Sequence, residues 1–140
     1  MNIEAIIIAC SKLIERYNLI EDKNVSIDEM LTILDKLAGY IFFLREAAGQ
    51  AEYDYILFKT SCEAEQCKQI TEKLKESTGK PTMSKLEREV EFENLGAILK
   101  YRTAEADHAR FKNIVLGVEG TIKSIEHRIN YYKFDRKNNS

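Results

Sequence analysis

Apolar residues recur along this chain with the period of an α-helix, and three segments carry the pattern. In the first, residues 3–17, the apolar positions are spaced for one face of a helix: Ile3, Ile6, Ile7, Cys10, Leu13, Ile14 and Tyr17. A polar stretch follows, and then Ser26 with Glu29 forms the pair of a capping box, which marks a helix start. The pattern predicts a short helix over residues 3–17 and a second helix that begins at residue 27.

The second and third helices are predicted to be long, over residues 27–76 and 84–133. Each carries an apolar stripe with steps of four and three residues, the heptad spacing that keeps one face of a helix against a partner. The first stripe is Met30, Leu34, Leu37, Ile41, Leu44, Ala48, Ala51, Tyr55, Phe58 and Cys62. The second stripe is Ala97, Tyr101, Ala104, His108, Phe111, Val115, Val118, Ile122, Ile125, Ile129 and Tyr132. Ser84 with Glu87 offers a capping box at the start of the third helix.

Gly79 and Pro81 separate the two long helices, so residues 77–82 are predicted to form a turn. Two long helices joined by a short turn fold back most simply as an antiparallel hairpin. The sequence therefore predicts one all-α domain over residues 1–140, with residues 134–140 as a tail. The hairpin places Met30 near Ile129 and Leu37 near Ile122.

A chain with two such long stripes is expected to cover them partly by self-association. The residues predicted to lie in an interface between subunits are Leu37, Ile41, Val115, Val118, Ile122, Ile125 and Ile129.

Composition limits the chemistry that the chain can carry. The net charge of −2 gives no overall attraction to nucleic acid or to an anionic membrane. Cys10, Cys62 and Cys67 are an odd number of thiols in a chain without a signal peptide, so a cytoplasmic location is expected. His108 on the second stripe is interpreted as a core or interface histidine rather than a ligand. We find no catalytic constellation, metal site or cofactor motif, and no transmembrane segment is expected.

Basic residues cluster around the predicted turn and form a candidate nucleic-acid-binding surface, because lysine and arginine bind backbone phosphates without reading sequence. The candidates are Lys68, Lys73, Lys75, Lys80, Lys85 and Arg88. Glutamates are interleaved with them, as in any solvated helix, so a plain polar surface is the alternative. A second candidate site near the end of the chain combines Arg128 and Lys133 with Tyr131, Tyr132 and Phe134, a mixture that suits stacking of single strands. The same cations also suit the end of a helix.

Three segments together resemble the UvsY recombination mediators of T-even-type bacteriophages. They are "CEAEQCKQITEKLKESTGKP", "SKLEREVEFENLGAILKY" and "FKNIVLGVEGTIKSIEHRI", and the resemblance covers roughly residues 40 to 132. It rests on the order and spacing of the segments more than on rare residues. The basic segment that this family carries before its loop falls on residues 71–74, where Lys73 and Leu74 match and Thr71 replaces a basic residue.

The resemblance implies a non-enzymatic, ring-forming homo-oligomer that binds single-stranded DNA. Such a protein helps a recombinase to replace a single-strand-binding protein, so both of these proteins are expected partners, in the cytoplasm of a phage host. The alternative is a helical adaptor or assembly factor that docks a protein partner, including a phage factor that blocks a host defence protein. The heptad stripes are compatible with both functions.

Overall fold

The computed structural model describes residues 2–76, 79 and 82–138, and the regular structure within them is entirely helical. Helix α1 covers Ile3–Asn18, and a short 3₁₀ turn follows at Asp22–Asn24. Helix α2 covers Ile27–Glu76, α3 covers Met83–Glu93 and α4 covers Leu95–Asn138. The predicted all-α fold with a long antiparallel helix pair is confirmed. Lys80 and Pro81, which belong to the predicted turn, lie outside the described residues.

Short polar side chains set the starts of the helices. The Ser26 hydroxyl accepts a hydrogen bond from the Glu29 amide at 3.2 Å, as the sequence predicts. The predicted cap at Ser84 and Glu87 is wrong, because Thr82 takes this role and its hydroxyl accepts from the Lys85 amide at 3.3 Å. Thr82 has an extended backbone, with φ −71° and ψ 143°, so the helix has already begun when the chain reaches Ser84.

Asn94 interrupts the helix that was predicted to run without a break over residues 84–133. Its backbone leaves the helical region, with φ −112° and ψ 18°, and it separates α3 from α4. The Asn94 side-chain amide donates to the Val90 carbonyl at 2.7 Å and to the Gln69 side chain of α2 at 2.6 Å. This pair of hydrogen bonds satisfies the polar groups at the break and ties it to α2. Helix α4 continues to Asn138 rather than ending at residue 133.

The chain divides into two compact units. Unit 1 consists of Met1–Ala48 with Arg110–Ser140, and unit 2 consists of Gly49–Ala109. Unit 1 therefore combines α1 with the first part of α2 and the last part of α4. Unit 2 contains the last part of α2, all of α3 and the first part of α4.

Unit 1 is a three-helix arrangement around an apolar core. Two contacts show that α1 runs parallel to α4: Glu4 pairs with Arg110, and the Tyr17 hydroxyl lies 3.0 Å from the Ser124 hydroxyl. The buried core residues come from all three helices: Ile6, Cys10, Leu13, Tyr17, Met30, Ile33, Leu37, Ile41, Leu44, Val118, Ile125 and Ile129. The apolar side of α1 packs in one core with the stripes of α2 and α4, so a single chain buries this core by itself.

The residues that were predicted to pair across the hairpin lie together in this core. Met30, Leu37 and Ile129 are buried members, and Ile122 packs against them. The seven residues predicted for a subunit interface also lie here, as buried members or packed against the cluster. Within one chain, this core buries five of them and half-buries the other two, Val115 and Ile122.

Unit 2 is an antiparallel helical hairpin. Three contacts show the antiparallel direction, because the residue numbers on α2 decrease while those of their partners increase. Lys73 contacts Glu93, Gln69 contacts Asn94, and Tyr55 stacks on His108 with ring centroids 6.0 Å apart. The buried residues of this unit are mostly small: Ala51, Cys62, Leu86, Val90 and Ala104. A thin core of this kind leaves many larger apolar side chains on the outside.

Candidate interaction surfaces

Lys73, which the resemblance places in a DNA-binding segment, is held by ion pairs within unit 2. Its ammonium lies 2.9 Å from a Glu93 carboxylate oxygen and 3.8 Å from one of Glu89. The hydrogen bond to Glu93 raises the pKa of Lys73 above its ordinary value. A phosphate would have to compete with two carboxylates for this lysine, so Lys73 is a weaker candidate for a phosphate contact than its exposed neighbours.

The remaining basic candidates of unit 2 that the structure describes are exposed. Lys68 and Lys75 lie seven residues apart on one outer face of α2, and Lys73 is on the face that contacts α3. Lys85 and Arg88 are exposed on α3. These four have no ion pair among the residues that the structure describes, whereas Lys80 lies outside them. The exposed basic candidates of unit 2 therefore lie on two helices, α2 and α3.

Arg128, a candidate of the second basic site, is bound into the fold of unit 1. Its guanidinium donates to the Ile20 carbonyl and to the Asp22 carboxylate, both at 2.9 Å. It also lies 5.6 Å from the centroid of the Tyr17 ring and 6.0 Å from that of Tyr132. Through these contacts, Arg128 on α4 binds the segment that connects α1 with α2. Lys133 is exposed, as are the neighbouring rings of Tyr131 and Phe134, so these three remain available for contact.

Two surface carboxyl groups of unit 1 make it sensitive to acid. Hydrogen bonds from Arg110 hold the pKa of Glu4 below its ordinary value of 4.5, and those from Tyr132 and then Arg128 lower the pKa of Asp22 below 3.8. A lowered pKa in the folded state gives stability that is present above the unfolded value and is lost as pH falls through the folded value. We expect the midpoint of thermal unfolding to fall between about pH 5 and pH 2 for this reason.

The check is a series of thermal melts over this pH range, followed by circular dichroism. Glu4→Gln should flatten the acid side of the curve, because the variant no longer has this carboxylate to protonate. Glu15→Gln is the matched control on α1, since Glu15 is exposed and has no ion pair among the described residues. A curve for Glu4→Gln that is parallel to that of the parent would contradict the role of the Glu4–Arg110 pair.

The outer side of α3 and α4 carries large apolar residues that are more than half exposed to solvent. Phe92, Leu95 and Leu99 are 76%, 56% and 68% exposed. They are spaced by three and four residues, and Arg88 and Arg102 continue this spacing at either end. We call these five residues the basic-ended face. Contiguous exposed apolar residues with a polar rim are typical of protein–protein contact sites.

A second apolar surface lies on the outer side of α2 in unit 2. Tyr53, Ile56 and Leu57 are between 45% and 62% exposed. Glu52 lies four residues before Ile56 and Glu63 lies seven residues after it, so both glutamates share the side of the helix with Ile56. We call these five residues the acid-ended face. The two faces lie on opposite sides of the hairpin, since the inner residues of α2 and α4 pack between them.

Neither face was predicted from the sequence, although a signal was present. The heptad stripes are more regular, and they predict only the inner surface of each helix. A second set of positions at steps of four and three, from Arg88 to Arg102, was available in the sequence. Only the structure shows that this second set is turned away from the helix partner, because solvent exposure depends on which stripe packs inward.

The remaining chemical groups do not assemble into a reactive site. Burial raises the pKa of the Cys10 and Cys62 thiols, which makes them poor nucleophiles. The Nδ1 atom of His108 is buried and has no hydrogen-bond partner in the described structure. Among the same residues, no group of histidine, cysteine or acidic side chains is arranged to hold a metal ion, and no helix has the length and apolar character needed to span a bilayer.

The fold and these surfaces define an all-α protein with two apolar faces on the outside of a helical hairpin. Comparison with known proteins finds no matching family model, no matching curated protein and no matching solved structure.

Proposed function

We propose that this chain is a non-enzymatic helical adaptor or assembly protein that works through protein contacts on the outer faces of unit 2. The observation that carries the proposal is the exposure of Phe92, Leu95 and Leu99 on one side of α3 and α4. Full burial of each such side chain is worth about 1.5–3 kcal/mol. Three side chains on one face therefore offer a partner enough apolar contact to form the centre of an interface.

The ionisable groups support a binding role rather than catalysis. The lowered pKa values of Glu4 and Asp22 are accounted for by hydrogen bonds to Arg110, Tyr132 and Arg128, which hold unit 1 together. Such pairs are structural rather than tuned for proton transfer.

Site-specific photo-crosslinking tests the proposal. A photoreactive amino acid is placed at Leu99, and the crosslinked product is identified by mass spectrometry from cells that express the protein. The matched control has the same group at Lys112, an exposed polar position of α4 in unit 1. We expect a protein crosslink at position 99 and none at position 112. Equal crosslinking at both positions, or crosslinks to nucleic acid alone, would contradict the proposal.

A second candidate function is binding of single-stranded DNA, as the resemblance to recombination mediators implies. The observation in its favour is that Lys68 and Lys75 are exposed on one face of α2 and have no ion pair among the described residues. The glutamates around them weigh against it, because the segment from Glu63 to Glu93 holds more acidic than basic residues.

Fluorescence anisotropy with a labelled single-stranded oligonucleotide, at two salt concentrations, tests this second function. If the face binds phosphate, Lys68→Ala combined with Lys75→Ala lowers affinity and flattens the salt slope by about 0.7 for each phosphate contact removed. The matched control is Lys36→Ala with Lys123→Ala, two exposed lysines of unit 1. Equal losses in both double variants would indicate a non-specific effect of charge, and no binding by the parent at low salt would exclude the function.

A further inference from the structure

We propose that the basic-ended face of unit 2 docks an acidic amphipathic helix of another protein, one whose apolar residues are flanked by aspartate or glutamate. This inference deepens the proposed function and rests on it, because it names the chemistry of the partner that the exposed apolar residues contact. The spacing of these residues on α3 and α4 and the charges around them favour this partner.

The basic-ended face continues across the break at Asn94. The Asn94 amide donates to the Val90 carbonyl at 3.1 Å, and the Asn94 carbonyl accepts from the Ile98 amide at 2.9 Å. Both are hydrogen bonds between residues four apart, as in an α-helix, so the winding of α3 continues into α4. Val90 is buried, whereas Phe92 before the break and Leu95 after it are both exposed. The apolar residues of the two helices therefore share one side that is turned to solvent.

The spacing of the apolar residues favours a helical partner. Phe92, Leu95 and Leu99 follow one another at steps of three and four residues. An apolar stripe with this spacing packs well against a second helix whose apolar residues have the same spacing. An extended segment presents alternate residues with a period of two and matches the stripe less well.

Cations stand at both ends of the apolar residues. Arg88 lies one turn before Phe92, and Arg102 lies one turn after Leu99. Lys85, three residues before Arg88, adds a second cation at that end. All three cations are exposed and have no ion pair among the residues that the structure describes. A partner that covers the apolar residues meets positive charge at both ends, so carboxylates at these places are favoured.

Arginine suits the recognition of carboxylates in particular. A guanidinium binds a carboxylate through two parallel N–H groups, which adds geometric specificity to the attraction of charge. The Arg102 guanidinium lies 5.8 Å from the centroid of the Tyr101 ring. Contact with a ring face leaves the N–H groups at the edge of the guanidinium free to donate to a partner.

The carboxylates of unit 2 near this face lie at its edges. Glu89 is three residues before Phe92, and its carboxylate lies 3.8 Å from the Lys73 ammonium, which partly neutralises it within unit 2. Glu91 is exposed at the opposite edge. A helix laid along the face contacts mainly the strip between these glutamates, whereas a broad anionic surface meets both of them and is repelled. The edges therefore favour a helical partner over an anionic membrane or a nucleic acid.

Selection of peptides from a random library, displayed on phage, tests the chemistry of the partner. The full chain is immobilised, and each enriched peptide is then tested on the variant Leu95→Asp with Leu99→Asp. Phe42→Asp with Leu116→Asp is the matched control, since it places the same charges at two exposed apolar positions of unit 1. All four positions are exposed, so both variants should keep the circular dichroism spectrum of the parent.

We expect the enriched peptides to carry a net negative charge and apolar residues at steps of three and four. They should bind the Leu95→Asp, Leu99→Asp variant at least about tenfold more weakly than the parent and bind the control as the parent does. Neutral or basic peptides, peptides that bind this variant as well as the parent, or a selection without any enriched peptide would each overturn the inference.

Charge exchange tests the ends of the face. Arg88→Glu with Arg102→Glu should weaken binding of a selected acidic peptide by about tenfold or more, which corresponds to about 1.4 kcal/mol. The same peptide with lysine in place of each acidic residue should bind this variant better than it binds the parent. Lys36→Glu with Lys123→Glu, at exposed positions of unit 1, makes the same change in net charge. Equal losses in the two variants would show a general effect of charge and would overturn the recognition by these arginines.

Other occupants of the face give different results. Vesicles that contain phosphatidylserine, a labelled oligonucleotide and the chain itself are the probes, measured by co-sedimentation, fluorescence anisotropy and sedimentation velocity. Binding or self-association that is present in the parent and lost in the Leu95→Asp, Leu99→Asp variant would assign the face to that occupant. Each of these results would overturn a helical peptide as the partner.

The crosslink at position 99 separates this inference from the proposed function. Mass spectrometry of the crosslinked product identifies the segment of the partner that contacts the face. We expect a segment with acidic residues beside apolar residues at steps of three and four. A crosslink to a protein segment without acidic residues overturns this inference and leaves the adaptor function standing. No protein crosslink at this position overturns both.

Discussion

Replacing Leu37 with aspartate is expected to unfold unit 1. The Leu37 side chain has 0% of its surface exposed and packs in the core that includes Met30 and Ile125. Removal of a buried leucine costs about 2–5 kcal/mol, and an unpaired carboxylate in its place adds several more. The total free energy of unfolding of a domain is about 5–15 kcal/mol, so this single change should remove most or all of it. Urea denaturation followed by far-ultraviolet circular dichroism measures the loss.

Ala38→Asp is the matched control, because Ala38 is the next residue on α2 and is exposed. It should cost about 0.7 kcal/mol or less, the difference in helix propensity between alanine and an ordinary residue. Equal urea midpoints for Leu37→Asp and the parent would show that Leu37 is not in the core.

The same measurement decides what covers Leu37. The structure buries it within one chain, so the difference in urea midpoint between the parent and Leu37→Asp should be the same at low and high protein concentration. Burial at a subunit interface, which the sequence predicts, would make this difference depend on concentration, because association through Leu37 stabilises only the folded parent by mass action.

Replacing Arg128 with alanine is expected to lower the free energy of unfolding of unit 1 by about 2–4 kcal/mol. Hydrogen bonds to charged groups contribute about 1.5–3 kcal/mol, and contact of the guanidinium with aromatic rings adds about 0.5–1 kcal/mol. The side chain is 19% exposed, so little of this interaction is replaced by water in the folded state. The loss should appear as a lower urea midpoint with an unchanged slope.

Arg128→Lys should recover only part of the loss. Lysine keeps the charge but lacks the planar group that donates to Ile20 and Asp22 while lying against the tyrosine rings. Lys133→Ala, at an exposed position on the same helix, should leave the midpoint within about 0.5 kcal/mol of the parent. If Arg128→Ala lowers oligonucleotide affinity and leaves the urea midpoint unchanged, Arg128 serves binding rather than the fold.

Heptad spacing was sufficient to predict the inner surface of the fold. Every position of the two stripes is buried or half-buried except Ala97, the first residue of the second stripe, which is exposed. Periodicity works here because each helix buries one stripe, and apolar residues mark that stripe at steps of four and three over many turns. The cap at Ser26 was predictable for a similar reason, since it depends on residues three positions apart in the sequence.

Features that depend on contacts between distant segments were not predictable in this way. The break at Asn94 needs Gln69 of α2, which lies 25 positions away in sequence. The pairing of Lys73 with Glu93 turns a candidate DNA contact into an internal ion pair, and the sequence gives no sign of this choice among several nearby glutamates. For the same reason, the spacing of the stripes alone did not show that α1 shares the core with them.

The assembly of unit 1 from both ends of the chain has a consequence during synthesis. Leu44 and Ile125 belong to the same core but are separated by about 80 residues, which takes roughly 4–16 seconds to translate at ~5–20 residues per second. During this interval the apolar side of the nascent α2 lacks α4, although α1 is already present. Unit 2 is contiguous over residues 49–109 and can close earlier. The newly made chain therefore exposes part of its core for seconds, a period in which the uncovered apolar surface is prone to aggregation.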